Sequence, residues 1–302
     1  MSDVDIPALR RKLGPVGVWT AAIGGESAAT ERDTAAEIEA LGFAALWFGE
    51  APQNKEALVH AGILLSATSS LVVATGIANV YGRDPASMKL GSEALGDAHP
   101  RRFVLGMGVS HAPLVQLRGH DYGKPVSTMR AYLEAMDATP YAPPAPAQPV
   151  PRILAALRPR MLELSRDAAD GALPYFVPVA HTARAREALG PDRLLATEQM
   201  VLLETDPDRA REIARRTTAV YLSLPNYANN LRDLGYADDE LTDGGSDRLV
   251  DDIVAWGTPD DVRARIDAHL EAGADHVPIQ PLGRLDRQLD QLRTLAPVVL
   301  DR

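Results

Sequence analysis

The chain contains no cysteine. That removes disulfides, thiol nucleophiles and cysteine-bound zinc together, and it suits a reducing compartment. Basic residues are not in excess: 31 Lys and Arg against 41 Asp and Glu leave a net charge of −10, which argues against a nucleic-acid partner. No apolar run approaches the length of a membrane span. Residues 1–7 carry neither the basic start nor the apolar centre of a signal peptide. These absences lead to the expectation of a soluble, cytoplasmic protein with no membrane partner. What remains is ordinary globular material, with 46% hydrophobic and 24% charged residues across 302 positions, enough for a sizeable core.

Apolar runs near residues 16–19, 44–48, 71–75, 103–107, 153–157, 172–177, 194–203 and 274–280 read as strands, with helical patterns between them. Ser27 starts one helix and Gly42 stands where a glycine closes it; Asp84-Pro85 opens another with a cap and a first-turn proline. The proline-rich stretch 140–151 reads as a surface crossing, because the same alternation resumes after it. The seventh connection is long, with helical patterns at 207–223 and 226–234 and another helix opened by Thr258-Pro259-Asp260. Eight strand-then-helix units in order predict α/β architecture, a TIM-like (β/α)8 barrel over residues 1–302, one domain with an extended connection after strand seven.

In such a barrel the strand C-termini converge on one mouth, where ligands bind. They deliver Trp19, Glu50, Gly76, Ile77, Ala78, Asn79, the turn Gly106-Met107-Gly108-Val109-Ser110-His111, then Arg158, Tyr175, Val177, Glu204 and Gln280. Trp19, Tyr81 and Tyr175 supply aromatic walls, so a flat organic ligand and a small-molecule substrate suit the mouth. Glu50 reads either as a desolvated general acid or base or as a cap on a neighbouring amide. His111 titrates near neutrality at the end of the glycine turn and reads as catalyst or as structural hydrogen-bonder. His276 reads as a barrel residue, His60 and His99 as packing or surface residues, and His120 as a rim residue.

Other chemistries fit less well. The turn is not the dinucleotide fingerprint, because no third glycine falls in register. His111, His120 and Asp121 lack the spacing of a metal set, so no metal is expected. No lysine stands at a strand end, which argues against Schiff-base chemistry. The stretch Val177-Pro178-Val179-Ala180-His181-Thr182 opens a helix beyond a strand. It reads as a phosphate cradle, with Thr182 as an added donor and Arg184 and Arg186 as added charge, or as a plain helix cap.

Several segments carry a family resemblance: residues 71–80 (LVVATGIANV), Arg83-Asp84-Pro85, residues 102–113 (RFVLGMGVSHAP), 117–123, 129–137 (MRAYLEAMD) and 170–189. The chain resembles the bacterial luciferase-like flavin and deazaflavin oxidoreductases, specifically those using the deazaflavin coenzyme F420. The resemblance implies a ring bound at the C-terminal mouth and a non-prolyl cis peptide at Gly76–Ile77 behind it. It further implies that residues 106–111 run along the ring edge, and that the amides of Val177, Ala180, His181 and Thr182 hold the phosphate. Hydride transfer between F420 and a small organic substrate is then the implied reaction, with Glu50 or His111 moving the proton and Trp19 forming a substrate wall. An FMN-dependent monooxygenase on the same barrel is the alternative, and a cofactor-binding barrel without turnover is the non-enzymatic one. Where relatives often place a histidine at the end of strand two this chain has Glu50, and Arg158 stands where a glycine is expected. The resemblance also implies a homodimer packed through helices around strands two to four. Tyr227, Asn229 and Tyr236 of the long connection are expected to overhang the mouth.

Overall fold

The computed structural model describes residues 4–301, so the first three residues of the opening stretch lie outside it. The chain begins with a helix that the strand pattern did not predict, α1 (Ile6–Leu13). Asp5 accepts from the Ala8 amide at 2.9 Å and a proline sits in the first turn, so both start signals are present. Its apolar face, Ile6, Leu9 and Leu13, plugs the bottom of the barrel against Trp47 and Val104.

Strand–helix alternation follows: β1 (Val16–Thr20), α2 (Ala28–Ala40), β2 (Ala45–Phe48), α3 (Ala57–Ser66), β3 (Val72–Thr75), the two-residue β4 (Ala78–Asn79), α4 (Pro85–Ala98) and β5 (Phe103–Gly108). Next come α5 (Ala112–Leu117), α6 (Pro125–Ala138), β6 (Arg152–Ala155), α7 (Pro159–Ala168), β7 (Gly171–Leu173), α8 (Val179–Leu189), β8 (Leu194–Leu195) and β9 (Gln199–Leu202). The long connection holds α9 (Pro207–Leu222), α10 (Pro225–Asp233), α11 (Asp247–Ile253) and β10 (Val254–Trp256); α12 (Pro259–Glu271), β11 (Val277–Pro281) and α13 (Leu285–Val299) close the chain.

All strand pairings are parallel, in the order β10-β9-β11-β1-β2-β3-β5-β6-β7-β8, with β4 beside β5. The sheet curls back on itself, because Ala196, just past β8, pairs with His276, just before β11. The expected TIM-like α/β barrel is the observed fold. Two strands differ from expectation. The run at 194–203 breaks into β8 and β9, and the sixth strand stops at Leu173, leaving Tyr175 and Val177 on a loop. β10 is an additional strand laid on β9 from within the long connection. The 140–151 crossing runs over α4, where a Cβ on Gly96 would meet Val150 and Pro146.

Gly106 has a specific steric cause. A Cβ there would lie 1.8 Å from the Thr75 carbonyl oxygen, so β3 and β5 approach this closely only with glycine between them. Thr75 donates its hydroxyl to the Gly106 carbonyl at 2.7 Å across the same gap. His276 is the barrel residue it was read as: Trp47 Nε1 donates to its Nε2 at 3.0 Å and its Nδ1 donates to Gly14 O at 2.7 Å. Burial pushes its pKa down to about 4. Among the described residues no helix is long and apolar enough to cross a membrane.

Candidate active site

One wall of the mouth is built on two adjacent pieces of backbone. In one the peptide Gly76–Ile77 is cis, as the resemblance implied, and both residues are half-buried. In the other, β5 ends at Gly108 and turns through Val109 and Ser110, also half-buried, with Ser110 at a φ of 57°. Trp19, from β1, donates its Nε1 to Gly76 O at 3.0 Å and stands 5.1 Å from the Tyr175 ring. Gly106, Met107, Ala78 and Asn79 are buried. The Met107 side chain packs into the core, so this part of the strand offers a ligand its backbone rather than its side chains.

Glu50 is a gripped carboxylate. Arg83 Nη2 lies 2.6 Å from its Oε1, the Asn79 amide donates to its Oε2 at 2.7 Å, and Arg118 stands 3.7 Å away. Of the two readings of Glu50, these contacts match the cap on a neighbouring amide, with an arginine pair added. Its partners lie on segments far from it in sequence. His111 is differently placed. It is half-buried, its Nδ1 is 3.0 Å from Asn226 Oδ1, and Tyr227 packs at 5.3 Å. With Asn226 accepting, Nδ1 carries the proton and Nε2 keeps its lone pair. Burial pushes the His111 pKa down, so the ring is neutral at physiological pH.

At the rim, Tyr81 donates its hydroxyl to Tyr122 O, and its ring lies 5.9 Å from His120. The long connection does cover the mouth, through Tyr221 on α9 and Tyr227 on α10 rather than through every residue expected. Asn229 is exposed and accepts from Arg232, and Tyr236 bonds Asp252 beneath Arg248.

The helix start at α8 is narrower as a cradle than the sequence implied. The hydroxyl of Thr182 is bonded to His269 Nδ1 at 2.8 Å, and the His181 ring donates to Leu157 O at 2.6 Å; both side chains face inward. The His181 amide donates to Pro178 O. The amides of Val179 and Ala180 head the helix with no carbonyl a turn before them, as at any helix start. Near them, Arg158 and Arg184 both bind Asp233, through its carboxylate at 2.9 Å and its carbonyl at 2.9 Å. Arg186 points to the other end of the barrel and pairs with Asp275 at 2.6 Å.

One polar residue of the mouth escaped the sequence reading. Glu198, in the break between β8 and β9, is 1% exposed beneath the Phe176 turn, and its Oε2 accepts the Phe176 amide at 3.1 Å. A cleft of about 730 Å3 also opens at the opposite end of the barrel, beside α1 and the 147–151 crossing, and none of the strand-end residues lines it.

The model of the family described as luciferase-like monooxygenase matches residues 13–276. The chain belongs to that family. Among relatives of this luciferase-like protein is a 5,10-methylenetetrahydromethanopterin reductase of Methanolobus tindarius, 24% identical over 280 residues, which are 79% of this chain and 86% of that protein. Solved structures share the luciferase-like fold. An F420-dependent secondary alcohol dehydrogenase with an F420-acetone adduct gives a TM-score of 0.74 at 16% identity, covering 94% of this chain and 98% of the other. The coenzyme F420-dependent tetrahydromethanopterin reductase of Methanopyrus kandleri gives 0.74 at 16% identity over 95% and 98%. The oxygenating constituent of 3,6-diketocamphane monooxygenase from Pseudomonas putida, in complex with FMN, gives 0.71 at 15% identity over 95% and 97%.

Proposed function

We propose that the protein transfers hydride between coenzyme F420 and a small organic substrate held at the barrel mouth. The observation that carries this reading is the pairing of two features on one rim. The half-buried backbone at Gly76–Ile77 adjoins the end of β5, with Ile77 against Gly108, and the unpaired first amides of α8 lie near Arg158 and Arg184. A flat ring with an anionic tail fits both, since a helix start and two guanidinium groups favour anions. The relatives that use F420 support the same reading, at the level of family and fold.

When bound, F420 supplies a hydride-carrying carbon and little oxygen chemistry. The chain's residues do the rest. Val179 and Ala180 hold the phosphate through their amides. Gly76, Ile77 and residues 106–110 would line the ring along one wall, and Trp19 with Tyr175 would wall the substrate. His111 Nε2 accepts or returns the accompanying proton, with Asn226 fixing the ring. Glu50 acts at one remove, holding the Asn79 amide and Arg83 in place. The homodimer fits the exposed Val59 on α3 and Leu90 on α4, apolar side chains on adjacent helices near strands two to four.

An FMN-dependent oxygenase is the second reading, favoured by the FMN-bound neighbour on the same barrel. Titrating the protein with F420 and, separately, with FMN while following quenching of Trp19 decides between them. Tighter binding of F420 supports the proposal and tighter binding of FMN the oxygenase; tight binding with no redox turnover supports the cofactor-binding barrel, and binding of neither removes the cofactor site at α8.

A further inference from the structure

Glu198 is a buried acid of the mouth that the proposed reaction does not use. Its Oε1 meets no hydrogen-bond partner among the described residues, although Oε2 takes the Phe176 amide. A carboxyl buried in this way is costly unless something pairs with it. Burial pushes its pKa up to about 8. The titratable groups facing it are three phenols, Tyr175, Tyr221 and Tyr227, all held above their ordinary range by burial. No cation figures among the influences on it.

The rings around it are contiguous. Tyr221 lies 5.2 Å from Tyr175, 5.0 Å from Phe176 and 5.4 Å from Tyr227, and Trp19 flanks Tyr175. Among the described residues the cation–π pairs, Arg211 on Trp256 and Arg248 on Tyr236, involve other rings. Aromatic faces attract cations, and a desolvated site strengthens the attraction.

We propose that Glu198 and this ring cluster form a subsite for a cationic amine, in which a substrate N–H pairs with Glu198 Oε1 among the aromatic rings. Tyr175 and Tyr221 are half-buried over it, with the Tyr221 hydroxyl 2.6 Å from that of Tyr175 and Tyr175 donating to Gln280 Oε1 at 2.7 Å, so an entering amine parts this bonded pair. The inference rests on reading the mouth as the substrate site, and it selects nitrogen cations over alcohols and alkenes. It also carries a sign. Glu198 must ionise to pair with a cation, so binding releases a proton and tightens as pH rises through about 8. His111, beside Tyr227, is already neutral there and the phenols remain protonated, so Glu198 is the group that titrates.

The probes are cyclohexylammonium, a cation throughout this range, and its uncharged analogue cyclohexanol. Each is titrated into the protein by tryptophan quenching, with and without F420, from about pH 7 to about pH 9. The amine is expected to bind more tightly than the alcohol, and its affinity to rise roughly ten-fold across that range while the alcohol's stays flat. Glu198→Gln, isosteric with the neutral acid, is expected to abolish the rise and leave the circular dichroism and F420 affinity unchanged. The wild-type pH series needs no variant, so it decides even where Glu198→Gln fails to fold. Equal binding of amine and alcohol, a flat amine profile, or no amine binding in either state overturns the subsite. F420 binding without amine binding would sink only this inference; amine binding without F420 binding would sink only the cofactor reading.

Discussion

Arg83 Nη2 lies 2.6 Å from Glu50 Oε1 in a wall of the mouth where both side chains are nearly covered. Arg83 also reaches Glu56 at 2.6 Å, so one guanidinium ties the end of β2 to the start of α3 and the approach to α4. Breaking a buried pair leaves the partner charge uncompensated. Glu50→Gln is therefore expected to cost about 3 kcal/mol in urea unfolding, with Glu56 softening the loss. The pH profile of turnover in the folded variant is expected to match that of the wild type. A displaced profile would restore Glu50 as the proton carrier.

His111 and Asn226 give the opposite expectation. Burial holds the His111 pKa below its usual value, and Asn226 accepts from the ring without charging it. Asn226→Asp puts a carboxylate at the same atom, which favours the imidazolium. The acid limb of the pH–rate profile is expected to move up by about one pH unit, with the ring's NMR titration moving in step. An unmoved limb would remove His111 from the proton path.

Gly106 tests the packing. Its added Cβ would fall on the Thr75 carbonyl, a backbone atom that cannot swing aside. Gly106→Ala is expected to lose about 3 kcal/mol or more of stability, or to give insoluble protein. Gly25, where a Cβ meets nothing, is the control and is expected to tolerate alanine.

Three buried histidines contribute to the response to acid. Burial pushes His269 down to about 3 and His60 and His276 to about 4, against about 6.5 in the unfolded chain. The folded pKa values are depressed, so the unfolded state takes up protons first. The stability they contribute is full above about pH 6.5 and drains as pH falls, by about 1.4 kcal/mol per pH unit for each. Denaturant midpoints measured across that window are expected to fall steeply, and less steeply in a His276→Gln variant.

The barrel was legible because buried parallel strands read as short apolar runs, and β3 with its β-branched residues reads most plainly. The residues at the mouth followed from topology, since strand ends converge wherever such a ring closes. Long-range partners were not legible. Nothing near Glu50 announces Arg83, and nothing near Thr182 announces His269, so a catalytic reading and a donor reading both met side chains already engaged. Glu198 was hidden differently: it lies in the apolar run 194–203 and was absorbed into the strand. A charged residue inside such a run was the available signal. α1 was missed because the apolar face of residues 6–13 is short and followed closely by a stronger strand.

The central claim is that the start of α8 seats the anionic part of F420, and one substitution reaches it directly. Val179 is the first helical residue and follows Pro178 at φ −76° and ψ 166°, a conformation that accepts a following proline. Val179→Pro therefore removes one amide and keeps the helix. The measurement is F420 affinity by tryptophan quenching in the wild type and in Val179→Pro. The account predicts tight binding by the wild type and a loss of about ten-fold in the variant, as one charge-assisted hydrogen bond disappears, with circular dichroism unchanged. Equal affinities, or no binding of F420 by the wild type, would contradict it.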